Sequence, residues 1–304
     1  MIVISSPSVI WDYQAQLGEG PVWDDQYQRL FWLDILGHQL LILDTENGNK
    51  TCVGLTHEVS AVALRSEGGL VAATEKGFAL LDPQNGGLSF LADPESQLPT
   101  NRFNDGKCDS RGRFIAGTMD KLETHATGSV YSLAKDFSIS PLFGKYIVCN
   151  GPAFSPEGRT LYFSNSVQRE ILKFPYDPAL GIVGDPELFA SIPETAGFPD
   201  GLTVDAEGYI WCAHWDGWRL TRFAPDGTED RVVELPVPRV TCPTFGGADL
   251  DTLFVTTART GLKESELLIA PRAGSLFAFK PGVQGLPTQK FSGLSEARHM
   301  SDPS

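Results

Sequence analysis

The sequence predicts an all-β protein, a six-bladed β-propeller with four-stranded antiparallel blades. Its 304 residues include 31 Gly, 21 Pro and 18 Phe, a composition that favours short strands and tight turns over long helices. One pattern of short strands and polar turns recurs six times, and successive copies begin 41 to 50 residues apart. A period in the forties with four strands per unit is typical of propeller blades.

The six units follow the same order of strand, polar turn, strand, turn and strand. They begin, in chain order, at Glu19, Ser60, Asn104, Asn150, Asp200 and approximately Pro243. The turns "DSRG", "SPEG" and "DAEG" place glycine where a hairpin requires a positive φ. The segments that follow them, "RFIAGT", "LYFSNS" and "YIWCAH", carry the aromatic and β-branched residues of strands.

Two segments lie outside the six units. The apolar N-terminal segment "SVIWDY" is predicted to form the outermost strand of the last blade, which closes the ring and leaves no open sheet edge. We therefore predict one propeller domain over residues 1–287 and a polar C-terminal tail over residues 288–304. The segment "SEARHMSDPS" within this tail is expected to fray.

Composition excludes several classes of partner. The net charge of −14 argues against nucleic acid, which is bound by clusters of Lys and Arg. No run of about 18 apolar residues predicts a membrane span, and the N-terminus lacks the features of a secretory signal. A cytoplasmic location is the expectation. The five cysteines show no CxxC spacing and are predicted to be mostly buried free thiols. Oligomeric state is left open.

The opening residues of the innermost strands are expected to meet at one mouth of the channel. In the six units these positions carry side-chain oxygens: Glu19, Ser60, Asn104, Asn150, Asp200 and approximately Thr244. Taken singly, each could cap a turn or face a solvated wall. Taken together, oxygen donors without His or Cys suit a hard divalent cation such as Ca²⁺, Mg²⁺ or Mn²⁺. No His spacing such as H-E-x-x-H supports a classical His-based zinc site.

Five segments around these positions resemble the family of regucalcin (senescence marker protein) and the gluconolactonases. They are "LGEGPVW", "RFNDGKCDSRGRFIAGTM", "CNGPAFS", "FPDGLTVDAEGYIW" and "TFGGADLDTLFVTTAR", and the resemblance extends from about Leu17 to Pro287. It implies a six-bladed propeller with one divalent metal ion at the channel mouth. Ca²⁺ is favoured, with Zn²⁺, Mg²⁺, Mn²⁺ or Fe²⁺ as alternatives. Most characterised members hydrolyse sugar lactones.

The resemblance also implies roles for single residues. The metal ligands would be Glu19, Asn150 and Asp200. Arg102 and Asn104 would bind the substrate, which would explain the polar start of "NRFNDGKC". The Arg102 guanidinium offers a fork of donors, and Asn104 offers a donor and an acceptor.

Several residues near the predicted site depart from the family pattern or have no assigned role. Where some relatives carry an acidic residue soon after "GTM", the aligned residue here is Leu122, and charged residues lie beside it: Asp120, Lys121 and Glu123. Their roles are left open. Asn165 in "YFSNS" replaces an expected acidic residue and is interpreted as a support for its loop. Asp105 is interpreted as a turn or supporting residue.

These residues predict metal-dependent hydrolysis of a sugar (aldono)lactone to the aldonic acid, as in sugar catabolism. The cation would polarise the carbonyl, and Asp200 would be the catalytic general base. No G-x-S-x-G, P-loop or dinucleotide motif supports another chemistry. Two alternatives stay open: an esterase or phosphotriesterase with the same cation, and a non-enzymatic calcium-binding protein. The particular sugar and the native metal are not predicted.

Overall fold

The computed structural model describes residues 5–293, which form a ring of six antiparallel sheets. The predicted six-bladed β-propeller is therefore confirmed. Strand β1 covers Ser8–Trp11. Blade one contains β2 (Gly18–Asp24), β3 (Arg29–Asp34), β4 (Gln39–Asp44) and β5 (Lys50–Gly54). Blade two contains β6 (Val59–Leu64), β7 (Leu70–Thr74), β8 (Gly77–Leu81) and β9 (Leu88–Ala92).

The next three blades continue the same outward order of strands. Blade three contains β10 (Asn101–Cys108), β11 (Phe114–Asp120), β12 (Gly128–Leu133) and β13 (Ile139–Tyr146). Blade four contains β14 (Cys149–Phe154), β15 (Thr160–Asn165), β16 (Glu170–Asp177), β17 (Ile182–Val183) and β18 (Glu187–Ser191). Blade five contains β19 (Phe198–Val204), β20 (Ile210–Trp215), β21 (Arg219–Phe223) and β22 (Glu229–Glu234).

Blade six is built from both ends of the chain. It contains β23 (Val240–Gly246), β24 (Thr252–Thr257) and β25 (Leu276–Phe279), with β1 as its outermost strand. Strand β1 pairs antiparallel with β25, and Ser8 faces Ala278 in the register. The predicted closure by the N-terminal strand is confirmed, and opening the ring would require breaking this ladder.

Blade four departs from the four-strand pattern only at its outer edge. There β16 pairs with β18 near its start and with β17 near its end. Pro175 lies between the two pairings and has no N–H to donate, so the outer edge changes partner around it.

Apolar layers between neighbouring blades form the core. Phe78 of blade two and Phe103 of blade three have ring centroids 4.4 Å apart. Trp23 of blade one stacks on Phe254 of blade six at 5.6 Å. All five cysteines are free, and all except Cys52 are buried, which agrees with the predicted state of most of the thiols.

Each innermost strand has an irregular register in its first half. The shifts lie between Glu19 and Val22, Val59 and Ala61, Phe103 and Asp105, Asn150 and Ala153, Pro199 and Leu202, and Val240 and Pro243. Such bulges re-aim side chains near functional sites. The sixth shift falls at Thr241, so the assignment of the sixth ring position to Thr244 is wrong. The segment "VTC" has no glycine to mark the strand start.

Two short helices and the C-terminal segment complete the described chain. A 3₁₀ turn covers Glu194–Ala196, and α1 covers Glu264–Ile269. Within residues 5–293, no helix combines the length and apolar character needed to cross a bilayer. Phe291 is buried, and its N–H donates to the Leu64 carbonyl at 2.7 Å. The boundary at residue 287 stays a prediction, and "SEARHMSDPS" lies outside the described residues.

Candidate active site

A cavity of about 160 Å³ at the channel mouth is lined by all five predicted site residues: Glu19, Arg102, Asn104, Asn150 and Asp200. They come from four blades and lie close to the bulges of β2, β10, β14 and β19. Residues separated by up to 181 positions in the sequence are thus brought together. The roles assigned to them stay predictions.

Two of these residues are buried carboxylates. Glu19 is 7% exposed and Asp200 is 5% exposed. Burial, and then the charge of Asp105, raise the pKa of Glu19 to about 8. Burial, and then the charges of Glu19 and Asp105, hold the pKa of Asp200 well above its usual range. Crowded, dehydrated carboxylates of this kind are stabilised in their ionised form by a nearby cation.

Asn150 supplies a third oxygen. Its Nδ2 donates to Ser166 Oγ at 3.0 Å, and its Oδ1 accepts a hydrogen bond from Asn104 Nδ2 at 2.7 Å. These bonds fix the amide orientation and leave one lone pair on Oδ1. Among residues 5–293, no cluster of three or more Asp, Glu, His or Cys side chains is arranged to hold a metal. The donor set here has two carboxylates and one amide, and these hard oxygens fit a divalent cation.

Arg102 is held from several sides. Its Nη1 donates to the Phe103 carbonyl at 2.8 Å, Asn104 Oδ1 at 3.0 Å and Ser60 Oγ at 3.3 Å. Its Nε lies 3.8 Å from Glu58 Oε2. No residue in the range 5–293 accepts a hydrogen bond from Nη2. The guanidinium is therefore fixed in place with donors left for a ligand.

Asn104 connects Arg102 to Asn150. Its Oδ1 accepts from Arg102, and its Nδ2 donates both to Asn150 Oδ1 and to the Cys149 carbonyl at 3.1 Å. One hydrogen-bonded chain therefore runs from the guanidinium to the predicted metal ligand. Asn104 positions both residues, in addition to lining the cavity.

Asp105 and Asn165 both make hydrogen bonds to neighbouring parts of the chain, and their interpretation as supporting residues stays a prediction. Asp105 accepts hydrogen bonds from the N–H groups of Gly106 at 2.7 Å and Gly151 at 2.8 Å. It thereby joins blades three and four behind the site. Asn165 Nδ2 donates to Glu170 Oε2 at 3.2 Å, across the turn between β15 and β16.

Comparison with known proteins places this site in a family. Residues 17–259 match the family described as SMP-30/Gluconolactonase/LRE-like region. The chain belongs to this family. It is 33% identical to L-arabinolactonase of Azospirillum brasilense over 290 residues, covering 94% of this chain and 95% of that protein. It is 34% identical to 6-deoxy-6-sulfogluconolactonase of Pseudomonas putida over 292 residues, covering 96% and 98%.

A solved structure shows the same architecture. The calcium-binding protein regucalcin from Agrobacterium tumefaciens superposes with a TM-score of 0.90 at 32% identity, covering 95% of this chain and 97% of that chain. The resemblance of the sequence to the regucalcin and gluconolactonase family is thus confirmed.

Glu123 is a cavity residue of this SMP-30/gluconolactonase-family protein that the sequence did not assign. It lines the cavity, whereas Leu122, the aligned residue, is 69% exposed. The Asp120 carboxylate accepts the N–H groups of Leu122, Thr124 and His125 at 2.9 to 3.3 Å. These bonds, led by that of Thr124, lower the pKa of Asp120 to about 2. Within this turn Glu123 adopts a φ of 54°. An ungapped alignment does not show this backbone conformation and therefore points to Leu122 instead.

Apolar side chains form the remaining walls of the cavity. They include Phe198 and Trp215, which face each other in blade five, and Met119 and Val148, which form an isolated bridge between blades three and four. Such walls can pack against the C–H groups of a sugar ring while the polar groups bind its hydroxyls.

Proposed function

We propose that this chain is a metal-dependent hydrolase of sugar lactones that converts an aldonolactone to the aldonic acid in sugar catabolism. The observation that carries the proposal is the convergence of three oxygen donors, Glu19, Asn150 and Asp200, with Arg102 in one cavity. The names of two relatives support the substrate class, since both act on sugar lactones that differ in the sugar.

The cation belongs to the proposal as well. Glu19, Asn150 and Asp200 would hold it, and two carboxylates balance a double positive charge. Ca²⁺ is favoured because all three donors are oxygens, and a structural neighbour is described as calcium-binding. When bound, a divalent ion supplies electrophilic polarisation of the lactone carbonyl.

Asp200 acts as the general base. Its ionised carboxylate accepts a proton from the attacking water as the new C–O bond forms at the carbonyl carbon. The bond between this carbon and the ring oxygen then breaks, and Asp200 returns the proton to that oxygen. One water is consumed, and the product is a hydroxy acid that releases a proton at neutral pH.

The other cavity residues bind and orient the ring. The free Nη2 of Arg102 donates to a sugar hydroxyl, while Asn104 keeps the guanidinium in place. Glu123 offers a carboxylate that accepts hydrogen bonds from hydroxyls. The positions of these polar groups select among the stereoisomers of the substrate.

Proton release provides the direct test. Chelated protein is expected to release acid from five- and six-carbon aldonolactones no faster than buffer alone does. Restoring Ca²⁺, Mg²⁺, Mn²⁺, Fe²⁺ or Zn²⁺ singly is expected to give metal-dependent acid release on one or two sugars. If folded, metal-loaded protein accelerates acid release from none of the lactones, the proposal is contradicted. An aryl ester and a phosphotriester in the same panel test the other hydrolase classes.

The turn that carries Glu123 gives a second prediction. Replacing Asp120 with Ala removes the acceptor for three N–H groups and is expected to release Glu123 from the cavity. Since one hydrogen bond contributes about 0.5–1.5 kcal/mol, KM for the best lactone should rise about 2- to 10-fold, with a smaller change in kcat. Steady-state kinetics check this split.

The matched control is Asp136→Ala in the turn between β12 and β13 of the same blade. Asp136 also caps a turn, accepting a hydrogen bond from the Ser138 N–H at 3.1 Å, but does not line the cavity. Its KM should match the wild type. Equal effects of the two substitutions would show that Asp120 acts on stability alone.

A further inference from the structure

A second cavity, of about 140 Å³, lies beside the candidate active site. Arg102 lines both cavities. The second is formed by the turn between β7 and β8, the segment 93–99, and residues of β10 and β11. We propose that it is an accessory subsite for a neutral, polyhydroxylated group, so that the protein accepts an aldonolactone bearing a second sugar ring. This inference rests on the proposed function.

Strand β10 and the turn after β11 each contribute residues to both cavities. On β10, Asn101 lines the second cavity while Asn104 lines the first. On the turn after β11, Lys121 lines the second cavity and Glu123 lines the first. Arg102 lines both cavities, and among the described residues no acceptor takes a hydrogen bond from its Nη2. A ligand held at Arg102 can therefore extend from one cavity into the other.

The floor of the second cavity is an ordered polar network. Glu95 is 8% exposed. It accepts hydrogen bonds from Asn101 Nδ2 at 2.8 Å, Thr118 Oγ1 at 2.9 Å and Tyr131 OH at 3.0 Å. Thr127 Oγ1 in turn donates to Asn101 Oδ1 at 2.8 Å. A buried network that is satisfied in this way holds its atoms in fixed positions, as recognition of hydroxyl stereochemistry requires.

The charged groups that line the second cavity favour a neutral ligand group. Its ionisable lining groups are three acids and three bases: Glu75, Asp93, Glu95, Lys76, Arg102 and Lys121. Lys121 Nζ is already paired with Glu75 Oε2 at 3.2 Å. The three acids and three bases cancel, so the lining offers no net positive charge to an anionic substituent, and the whole protein carries a net charge of −14. An apolar group would leave the polar lining without partners, whereas hydroxyls can donate to the carboxylates and accept from the Lys and Arg side chains.

The test compares three lactones and two tryptophan variants. Ser96 is exposed and lines the second cavity, so Ser96→Trp fills it. Ser89→Trp is the matched control, because Ser89 is an exposed residue of the same blade outside the cavity. The kcat/KM values are measured for the aldonolactone that the panel shows to be hydrolysed fastest, for the same lactone carrying a second, neutral sugar ring, and for the same lactone carrying a terminal sulfonate. Lys76→Ala provides a milder second variant, and thermal melts verify folding.

The wild type is expected to hydrolyse the two-ring lactone at least as efficiently as the one-ring lactone. In Ser96→Trp the ratio of the two kcat/KM values should fall about tenfold or more, because the hydrogen bonds of the second ring are lost. Lys76→Ala should lower the ratio less, and Ser89→Trp should leave it unchanged.

Three results would overturn the subsite. They are hydrolysis of the one-ring lactone only, an unchanged ratio in folded Ser96→Trp, and a preference for a lactone with a terminal sulfonate over the two-ring lactone. In each of these the proposed lactonase function survives. Hydrolysis of no lactone in the whole panel, with one ring or two, by the metal-loaded wild type would instead overturn the proposed function and the subsite with it.

Discussion

Replacing Asp200 with Asn is expected to reduce kcat by about 100- to 10,000-fold, the contribution of a positioned general base. The substitution keeps the size of the side chain and one oxygen for the cation, but an amide cannot accept the proton of water. The backbone contact at this position is unaffected, because it is the Asp200 carbonyl that accepts the 2.7 Å hydrogen bond from Ser164 Oγ. The measurement is kcat at saturating lactone and saturating cation.

The control for this experiment is Asp185→Asn, which changes the net charge equally at an exposed residue outside the cavity. It should keep the wild-type rate. Metal content of each variant is determined alongside the kinetics, so that loss of the cation is separated from loss of the base. An Asp200→Asn protein that binds the cation and retains near-wild-type kcat would disprove the assignment.

The blade pattern was predictable because it depends on local chemistry. Polar turns and short apolar strands recur in every unit, and the remaining segment "SVIWDY" had one open sheet edge to cover. The predicted start of the sixth unit, approximately Pro243, is too far along the chain, because its innermost strand starts at Val240. The bulge at Thr241 lacks the glycine that marks Glu19, Asn150 and Asp200, so local pattern gave no signal there.

Site residues at the starts of the innermost strands could be predicted from the sequence. A site residue whose position depends on the backbone conformation of a turn could not. Glu19, Asn150 and Asp200 share a position in the repeat, and the structure brings them into one cavity. Glu123 depends on a left-handed residue within a turn that Asp120 caps. The second cavity is assembled from three separate segments of two blades. Its existence is a property of tertiary packing that no single motif encodes.

The free energy of unfolding of the metal-free protein is expected to fall as pH rises from about 5 to about 8. Burial and the neighbouring Asp105 raise the pKa of Glu19 from 4.5 in the unfolded chain to about 8. Between these values the folded state binds more protons than the unfolded state. Raising the pH therefore favours unfolding in this window. Asp200, whose pKa is raised for similar reasons, contributes in the same direction.

Adding the cation should reverse this loss. A cation at 100 times its Kd stabilises the folded state by about 2.7 kcal/mol. Its binding should be tighter at pH 8 than at pH 5, because the carboxylates must lose their protons to bind it. Urea unfolding at pH 5 and pH 8, with chelator and with Ca²⁺, measures both effects without any substrate.

The Glu19→Gln variant tells whether Glu19 is the origin of the effect. Glutamine carries no charge at either pH, so the metal-free variant should lose less stability between pH 5 and pH 8 than the wild type. It should also gain less from Ca²⁺, since one of the two carboxylates that balance the ion is gone. An equal pH dependence in both proteins would assign the effect to other groups. An equal gain from Ca²⁺ would show that the cation binds elsewhere, because a buried site built on two carboxylates cannot lose one of them without losing affinity.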